Sequence, residues 1–159
     1  MKILQLHPGD ENRLKQIRLR SLLEDPDAFG STYKETKSRP PESWTSQLEK
    51  LVTFVVVVNE QDVGIVRGVA DESDATRSWL ISLWVAPKAR RRGAGEHLVQ
   101  AILNWAKSAD FTCVCLEVGN HNLPAQALYT RLGFEMTGAK RTLASPREHI
   151  TELEMICRI

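Results

Sequence analysis

Leu83-Trp84-Val85-Ala86-Pro87-Lys88-Ala89-Arg90-Arg91-Arg92-Gly93-Ala94-Gly95 is the stretch on which the reading of this 159-residue chain depends. A strand ends at a proline, a basic loop follows, and two glycines open a helix. Ala94, Leu98, Ala101, Ile102 and Trp105 fall at i, i+4, i+7, i+8 and i+11, an apolar stripe about three turns long. The first turn of a helix carries main-chain N–H groups without internal acceptors, and its dipole favours negative charge. Glycines let a phosphate approach that backbone, and neighbouring arginines add charge. The pattern therefore suits a pyrophosphate. The plainer account is a solvated basic turn whose glycines serve only the bend. A P-loop needs Lys and Ser or Thr after its second glycine, whereas Glu96 and His97 follow Gly95. A dinucleotide fingerprint needs a third glycine that is missing here.

Working outward, Lys2 to Leu6 reads as a short strand. Asp10 is placed to cap a helix carrying Leu14, Ile17, Leu22 and Leu23, which Asp25-Pro26 ends. Residues 28–50, with Phe29, Tyr33 and Trp44, read as one or two short helices divided at Pro40-Pro41. Leu51 to Asn59 is rich in β-branched residues and reads as a buried strand. Asn59-Glu60-Gln61-Asp62 then leads into a second strand, Val63 to Ala70. Ser78 to Val85 is the strand before the glycine turn, and Phe111 to Val118 another. Leu123 to Leu132 is a helix closed by Gly133, and Phe134 to Gly138 and His149 to Ile159 are the final strands. Strands before and after helices in one chain predict an α/β (α+β) fold: one domain over residues 1–159, with helices covering a mixed sheet.

A second segment has chemistry of its own. Leu116-Glu117-Val118 is followed by Asn122-x-x-Ala125-x-x-Leu128-Tyr129-x-x-x-Gly133-Phe134. Ala125, Leu128, Tyr129 and Leu132 share a helical face, so the Tyr129 ring turns toward the sheet, and a buried phenol calls for a hydrogen-bond partner. The plainer role of Tyr129 is a core tyrosine, and that of Asn122 an N-cap. Glu117 lies on the strand face of Cys113 and Cys115, opposite Val114, Leu116 and Val118. An acid there either pairs with an arginine, reaches solvent, or acts as a base.

Arg90-x-x-Gly93-x-Gly95 after Val85-Ala86-Pro87, with the Asn122 to Phe134 segment 27 residues beyond Gly95, resembles the GNAT superfamily of acetyl-CoA-dependent N-acetyltransferases. Arg91 stands where that family often has glycine. The resemblance covers residues 76–139 and implies a mostly antiparallel central sheet of six to seven strands, splayed at the coenzyme, with about four helices. It implies that the backbone of Arg90, Arg91, Arg92, Gly93, Ala94, Gly95 and Glu96 holds the CoA pyrophosphate. It further implies that Leu83, Trp84 and Val85 pair with pantetheine, with Asn122 a further contact. Tyr129 is then the general acid for the departing thiolate, and Glu117 the general base, a role that other members give to different residues or to water. The acceptor is an amine of a small molecule or of a peptide or protein N-terminus, and relatives commonly form homodimers. The N-terminal helices commonly bind acceptors in that family, which puts Phe29, Tyr33 and Trp44 on one wall and residues 140–149 on the opposing lip.

Composition narrows the alternatives. The chain carries 21 basic and 20 acidic side chains, a net charge of +1, so no global field recruits nucleic acid or a membrane. Four bases, Lys88, Arg90, Arg91 and Arg92, fall within five positions, which favours a local anion site. The longest apolar run, Phe54 to Val58, is far short of the roughly 20 residues that span a bilayer. Nor does the N-terminus hold a signal-peptide core. Three cysteines argue against a disulfide framework and fit a reducing compartment, so a cytoplasmic location is expected. Cys113 and Cys115 share a face without further ligands at zinc spacing, so no metal is expected. Two competing functions follow from the same residues. One is a non-catalytic CoA-binding or regulatory module, the other an RNA or nucleotide binder using Lys88 to Arg92.

Overall fold

Asn59 and Glu60 both take left-handed φ, +50° and +64°. Two such residues in succession make the tight hairpin turn whose twist matches paired strands. They join β2 (Val52–Val58) to β3 (Gln61–Ala70), so the expected four-residue loop is tighter by two residues. The computed structural model describes residues 1–159. Its other elements are β1 (Lys2–Leu6), α1 (Glu11–Glu24), α2 (Tyr33–Lys37), α3 (Pro41–Lys50), β4 (Arg77–Val85), α4 (Ala94–Ser108), β5 (Cys113–Gly119), α5 (Leu123–Arg131), β6 (Glu135–Thr142) and β7 (Thr151–Arg158). Single 3-10 turns lie at Pro26–Ala28 and Pro87–Ala89. The seven strands form the expected mixed sheet, in the order β1-β2-β3-β4-β5-β7-β6, with five α-helices. None of the helices is long and apolar enough to cross a membrane.

The chain divides into two compact units. The first comprises Met1–Val69 and Leu80–Ile102. There β1 runs antiparallel to β2, and β2 to β3 with a register shift at Val56/Val57. Its core gathers Leu6, Leu14, Ile17, Leu22, Phe29, Trp44, Leu48, Val55, Ile65, Trp84 and Ala86. Helix α1 buries Leu14, Ile17, Arg18, Ser21 and Leu22. Leu23 lies about 100° further round and is 66% exposed, so it takes no part in the expected stripe. Asp10 does not cap α1: its φ/ψ of −99°/21° is not the extended geometry a cap needs, and its carboxylate accepts from the His7 N–H instead. Gly64 on β3 is a close-approach position. A Cβ there would lie 2.7 Å from Val56 Cγ1, 3.0 Å from the Trp84 carbonyl and 3.2 Å from Leu98 Cδ1.

The second unit comprises Ala70–Trp79 and Leu103–Ile159. Strand β5 runs parallel to β4 over only Arg77–Trp79 and Cys113–Cys115, and antiparallel to β7 along its whole length. Cys113, Cys115 and Cys157 are buried free thiols, the small-hydrophobe role. Helix α5 is capped by Asn122, whose Oδ1 accepts from the Ala125 N–H, and it is followed by Gly133 at φ +100°. Strand β6 extends to Thr142, past the expected end at Gly138. Gly138 (φ +93°) falls inside the register shift between Met136 and Lys140, and every β6 residue is exposed. Lys140, Arg141 and Thr142 are thus strand residues, paired with Leu153, Glu152 and Thr151.

Candidate functional site: a clamped helix start and a paired carboxylate

In the first unit, three side chains fix the turn that opens α4. Trp84 is buried, and its indole N–H donates to Asp25 Oδ2 at 2.7 Å. Arg90 donates through Nη2 to the same oxygen at 2.8 Å and through Nε to the Val85 carbonyl at 2.8 Å. Asp25 is the residue that ends α1, so one carboxylate ties the end of α1 to the strand end and the turn. Within the turn, Arg91 and Gly93 are left-handed at φ +63° and +86°. Turns with left-handed residues set successive N–H groups around a concavity that receives anions. The Gly93 carbonyl accepts the first helical bond, from the His97 N–H at 3.0 Å, and lies 2.7 Å from His97 Nδ1. The N–H groups of Ala94, Gly95 and Glu96 belong to the helical turn that has no intrahelical acceptors.

The roles of the basic residues therefore differ. The Arg90 guanidinium is spent on Asp25 and Val85, which makes it a clamp for the backbone. Arg91 and Arg92 are exposed beside the turn with Gly93 and Glu96. Leu83 and Val85 are half-buried, whereas the Trp84 side chain belongs to the core and leaves only its main chain for a ligand. These features fit a pyrophosphate: a preshaped main-chain turn at the start of a 15-residue helix, with two free-standing guanidinium side chains.

In the second unit, Glu117 on β5 pairs with Arg141 of β6, Oε2 to Nε at 2.6 Å. Glu152 on β7 is a further, weaker partner of Arg141 at 3.6 Å. Burial pushes the Glu117 carboxyl above its ordinary value. Arg141 pulls the other way, and the neighbouring charges of Glu152 and Glu154 add to the rise. Tyr129 is 6% exposed, with its ring 5.6 Å from that of Phe134. Burial raises its phenol. A phenol raised in this way stays protonated at neutral pH and is a proton donor, not a base. The Asn122 Oδ1 is committed to its cap, which leaves the side-chain amide N–H₂ for other contacts.

Sequence reasoning missed three features. Arg141, the partner of Glu117, falls in the segment expected only as the lip opposite the acceptor wall. Asp25 was read only as a helix stop. Ser82 is left-handed at φ +62° inside β4 and accepts from Arg67 Nε and Nη2 at 3.0 and 2.8 Å. The only trace of Ser82 is a small polar residue breaking the apolar run from Trp79 to Val85.

The profile of the Acetyltransferase (GNAT) family matches residues 18–134. Human N-acetyltransferase 8 is 35% identical over 89 residues, 54% of this chain and 39% of that protein. Streptothricin acetyltransferase of Streptomyces lavendulae is 31% identical over 109 residues, 66% of this chain and 58% of that one. The chain thus spans between about two fifths and three fifths of the length of these relatives. A GNAT-family acetyltransferase structure from Streptococcus pneumoniae superposes with a TM-score of 0.84 at 21% identity, covering 99% of both chains. A profile matched over most of the chain decides the assignment: the chain belongs to the GNAT family of acetyltransferases.

Proposed function

We propose that the chain transfers an acetyl group from acetyl-CoA to a primary amine, of a small molecule or of a peptide or protein N-terminus, by direct attack in a ternary complex. The observation that carries this reading is the clamped turn. Arg91 and Gly93 are left-handed, and Arg90 locks the backbone through Val85 and Asp25 ahead of the first turn of α4. The main chain from Arg90 to Glu96, with Ala94 and Gly95 at the helix start, holds the pyrophosphate, and Arg91 and Arg92 add charge. Leu83, Trp84 and Val85 offer main-chain groups to pantetheine, and Asn122 offers its amide. Acetyl-CoA, when bound, supplies the acetyl group as an activated thioester.

The remaining chemistry belongs to this chain's residues. Glu117 takes the proton that makes the amine nucleophilic, and its raised carboxyl brings it closer to the operating range of a base. An N–H at Val85 meets the charge that develops on the carbonyl oxygen. Tyr129 gives its phenolic proton to the departing sulfur and recovers one from the nitrogen as the amide forms, so the C–N bond forms as the C–S bond breaks, a neutral thiol leaves and the phenol is restored. An α-amino acceptor, with a pKa of about 8, needs less help from Glu117 than a lysine-like amine near about 10.4. Release of free thiol from acetyl-CoA across an amine panel is the test. Thiol release with at least one amine supports transfer. Calorimetric binding of CoA with no thiol released by any amine leaves the binding-module reading in its place.

A further inference from the structure

Ser82 breaks the regularity of its own strand. It sits inside β4, between the half-buried Ile81 and Leu83, yet its φ is +62°. A left-handed residue other than glycine is strained, and it persists only where its surroundings over-determine it. Inside a strand such a residue also re-aims the main-chain groups that follow it. Here those groups belong to Leu83, Trp84 and Val85. The ladder to β5 ends at Trp79, so the break comes beyond its last rung. The far end of the segment is fixed as well. The Trp84 indole donates to Asp25 at 2.7 Å, and the Ala86 N–H donates to the Val63 carbonyl at 2.8 Å.

Arg67 of the neighbouring β3 holds Ser82. It donates to Ser82 Oγ through both Nε and Nη2, at 3.0 and 2.8 Å, so two arms of the guanidinium close on one oxygen. Its third nitrogen, Nη1, donates to Gln47 Oε1 at 2.8 Å, and Gln47 Nε2 in turn donates to Ser43 Oγ at 3.3 Å. The chain of bonds therefore runs from α3 across β3 to β4. Arg67 is 7% exposed, and the charged groups acting on it are Arg18 and Arg39, both cations. Burial first, and then those cations, hold its guanidinium well below the ordinary value. A buried charge without a counter-charge is destabilising, and an apolar side chain of similar volume often fills such a place with no loss of stability. Packing thus does not account for an arginine here, whereas fixing Ser82 uses its planar fork.

We propose that Arg67 is a positioning residue for the coenzyme arm: it locks the left-handed Ser82 so that the main chain of Leu83, Trp84 and Val85 stands ready for pantetheine. Arg67 acts through Ser82 and not by contact with the coenzyme. A segment fixed before the ligand arrives loses less conformational freedom on binding, and affinity rises accordingly. This inference rests on the pairing of residues 83–85 with pantetheine in the acetyl-transfer reading above, and adds the residue that shapes them.

The test is calorimetric titration of the parent and its variants with CoA and with 3′-phosphoadenosine 5′-diphosphate, which keeps the pyrophosphate and lacks the pantetheine arm. Arg67→Met is expected to bind CoA about three- to tenfold more weakly, the scale of one main-chain hydrogen bond, and to bind the diphosphate as the parent does. A merely structural arginine would weaken both ligands together or neither. Ser82→Gly adopts φ +62° without strain and removes the hydroxyl, so it tests the same lock in a chain whose backbone is relaxed. It should show the same selective loss. Arg67→Lys, which keeps the charge and one donor but not the fork, should recover part of the CoA affinity. In the ligand-free protein, hydrogen exchange at the amides of residues 82–85 should be faster in Arg67→Met and Ser82→Gly than in the parent. Parental CoA affinity in both variants, equal weakening toward both ligands, or parental exchange at residues 82–85 overturns the positioning role and leaves the acetyl-transfer reading standing. A parent that binds no CoA overturns that reading, and this role with it.

Discussion

Removing the Asp25 carboxylate by Asp25→Ala separates the two things that it holds. Its Oδ2 accepts from Trp84 Nε1 at 2.7 Å and from Arg90 Nη2 at 2.8 Å. Trp84 is 4% exposed, so the substitution leaves a buried N–H without an acceptor, a cost of about 1–3 kcal/mol. The ion pair with Arg90 adds little to stability, because the two side chains are 45% and 32% exposed. The expected destabilisation is therefore about 2 kcal/mol, which lowers the thermal midpoint by roughly 4–8 °C in a chain of this length. The pair matters for function instead. Without Asp25, Arg90 keeps only its bond to the Val85 carbonyl, the turn loosens, and CoA must order it on binding. Calorimetric titration with CoA should then show an affinity several-fold weaker. Asp25→Asn, which keeps an oxygen for the indole but not the charge facing Arg90, should recover most of the stability and little of the affinity. A parental midpoint for Asp25→Ala refutes the packing argument. Lowered stability with unchanged affinity refutes the claim that Arg90 sets the turn.

Other perturbations address separate parts of the account. Tyr129→Phe should bind CoA as the parent does and lose about 10²-fold or more in kcat, read from steady-state thiol release, because it removes only the proton donor. Replacing Arg141 by Met removes the cation that lowers the Glu117 carboxyl. The carboxylate is the active form, so the acid limb of the kcat/KM profile should move to higher pH, and an unmoved limb points to water as the base. Gly64→Ala forces a methyl against Val56, the Trp84 carbonyl and Leu98. Urea unfolding should show a loss of about 1–3 kcal/mol, the usual cost of overpacking.

Periodicity was legible wherever a burial pattern made it so. The α4 stripe, the β-branched β2 and the two motifs emerge from residue type and spacing alone, and with them the mixed sheet and the turn at Arg90. Strand β6 shows where this stops, since an edge strand exposed at every residue, with Gly138 at its register shift, carries no alternation to read. Asp10 shows the limit of single-residue rules, because a nearer donor, the His7 N–H, claimed its carboxylate. The electrostatics of the site were invisible for a different reason. Asp25 and Arg90 are 65 residues apart, and Glu117 and Arg141 are 24 apart, so only the folded chain brings them together. Arg18 falls on the buried stripe of α1 at apolar spacing, a polar residue in a core position, and that mismatch was present in the sequence.

Hydrogen exchange at the main-chain amides of residues 90–96, with and without CoA, tests the grip on the pyrophosphate most directly. Slowed exchange in that segment on CoA addition, with Arg91 and the amides of Ala94 to Glu96 most protected, is the expected result. CoA bound with those amides exchanging at their free rates would mean that the coenzyme is held elsewhere, and the account of the helix start would be wrong.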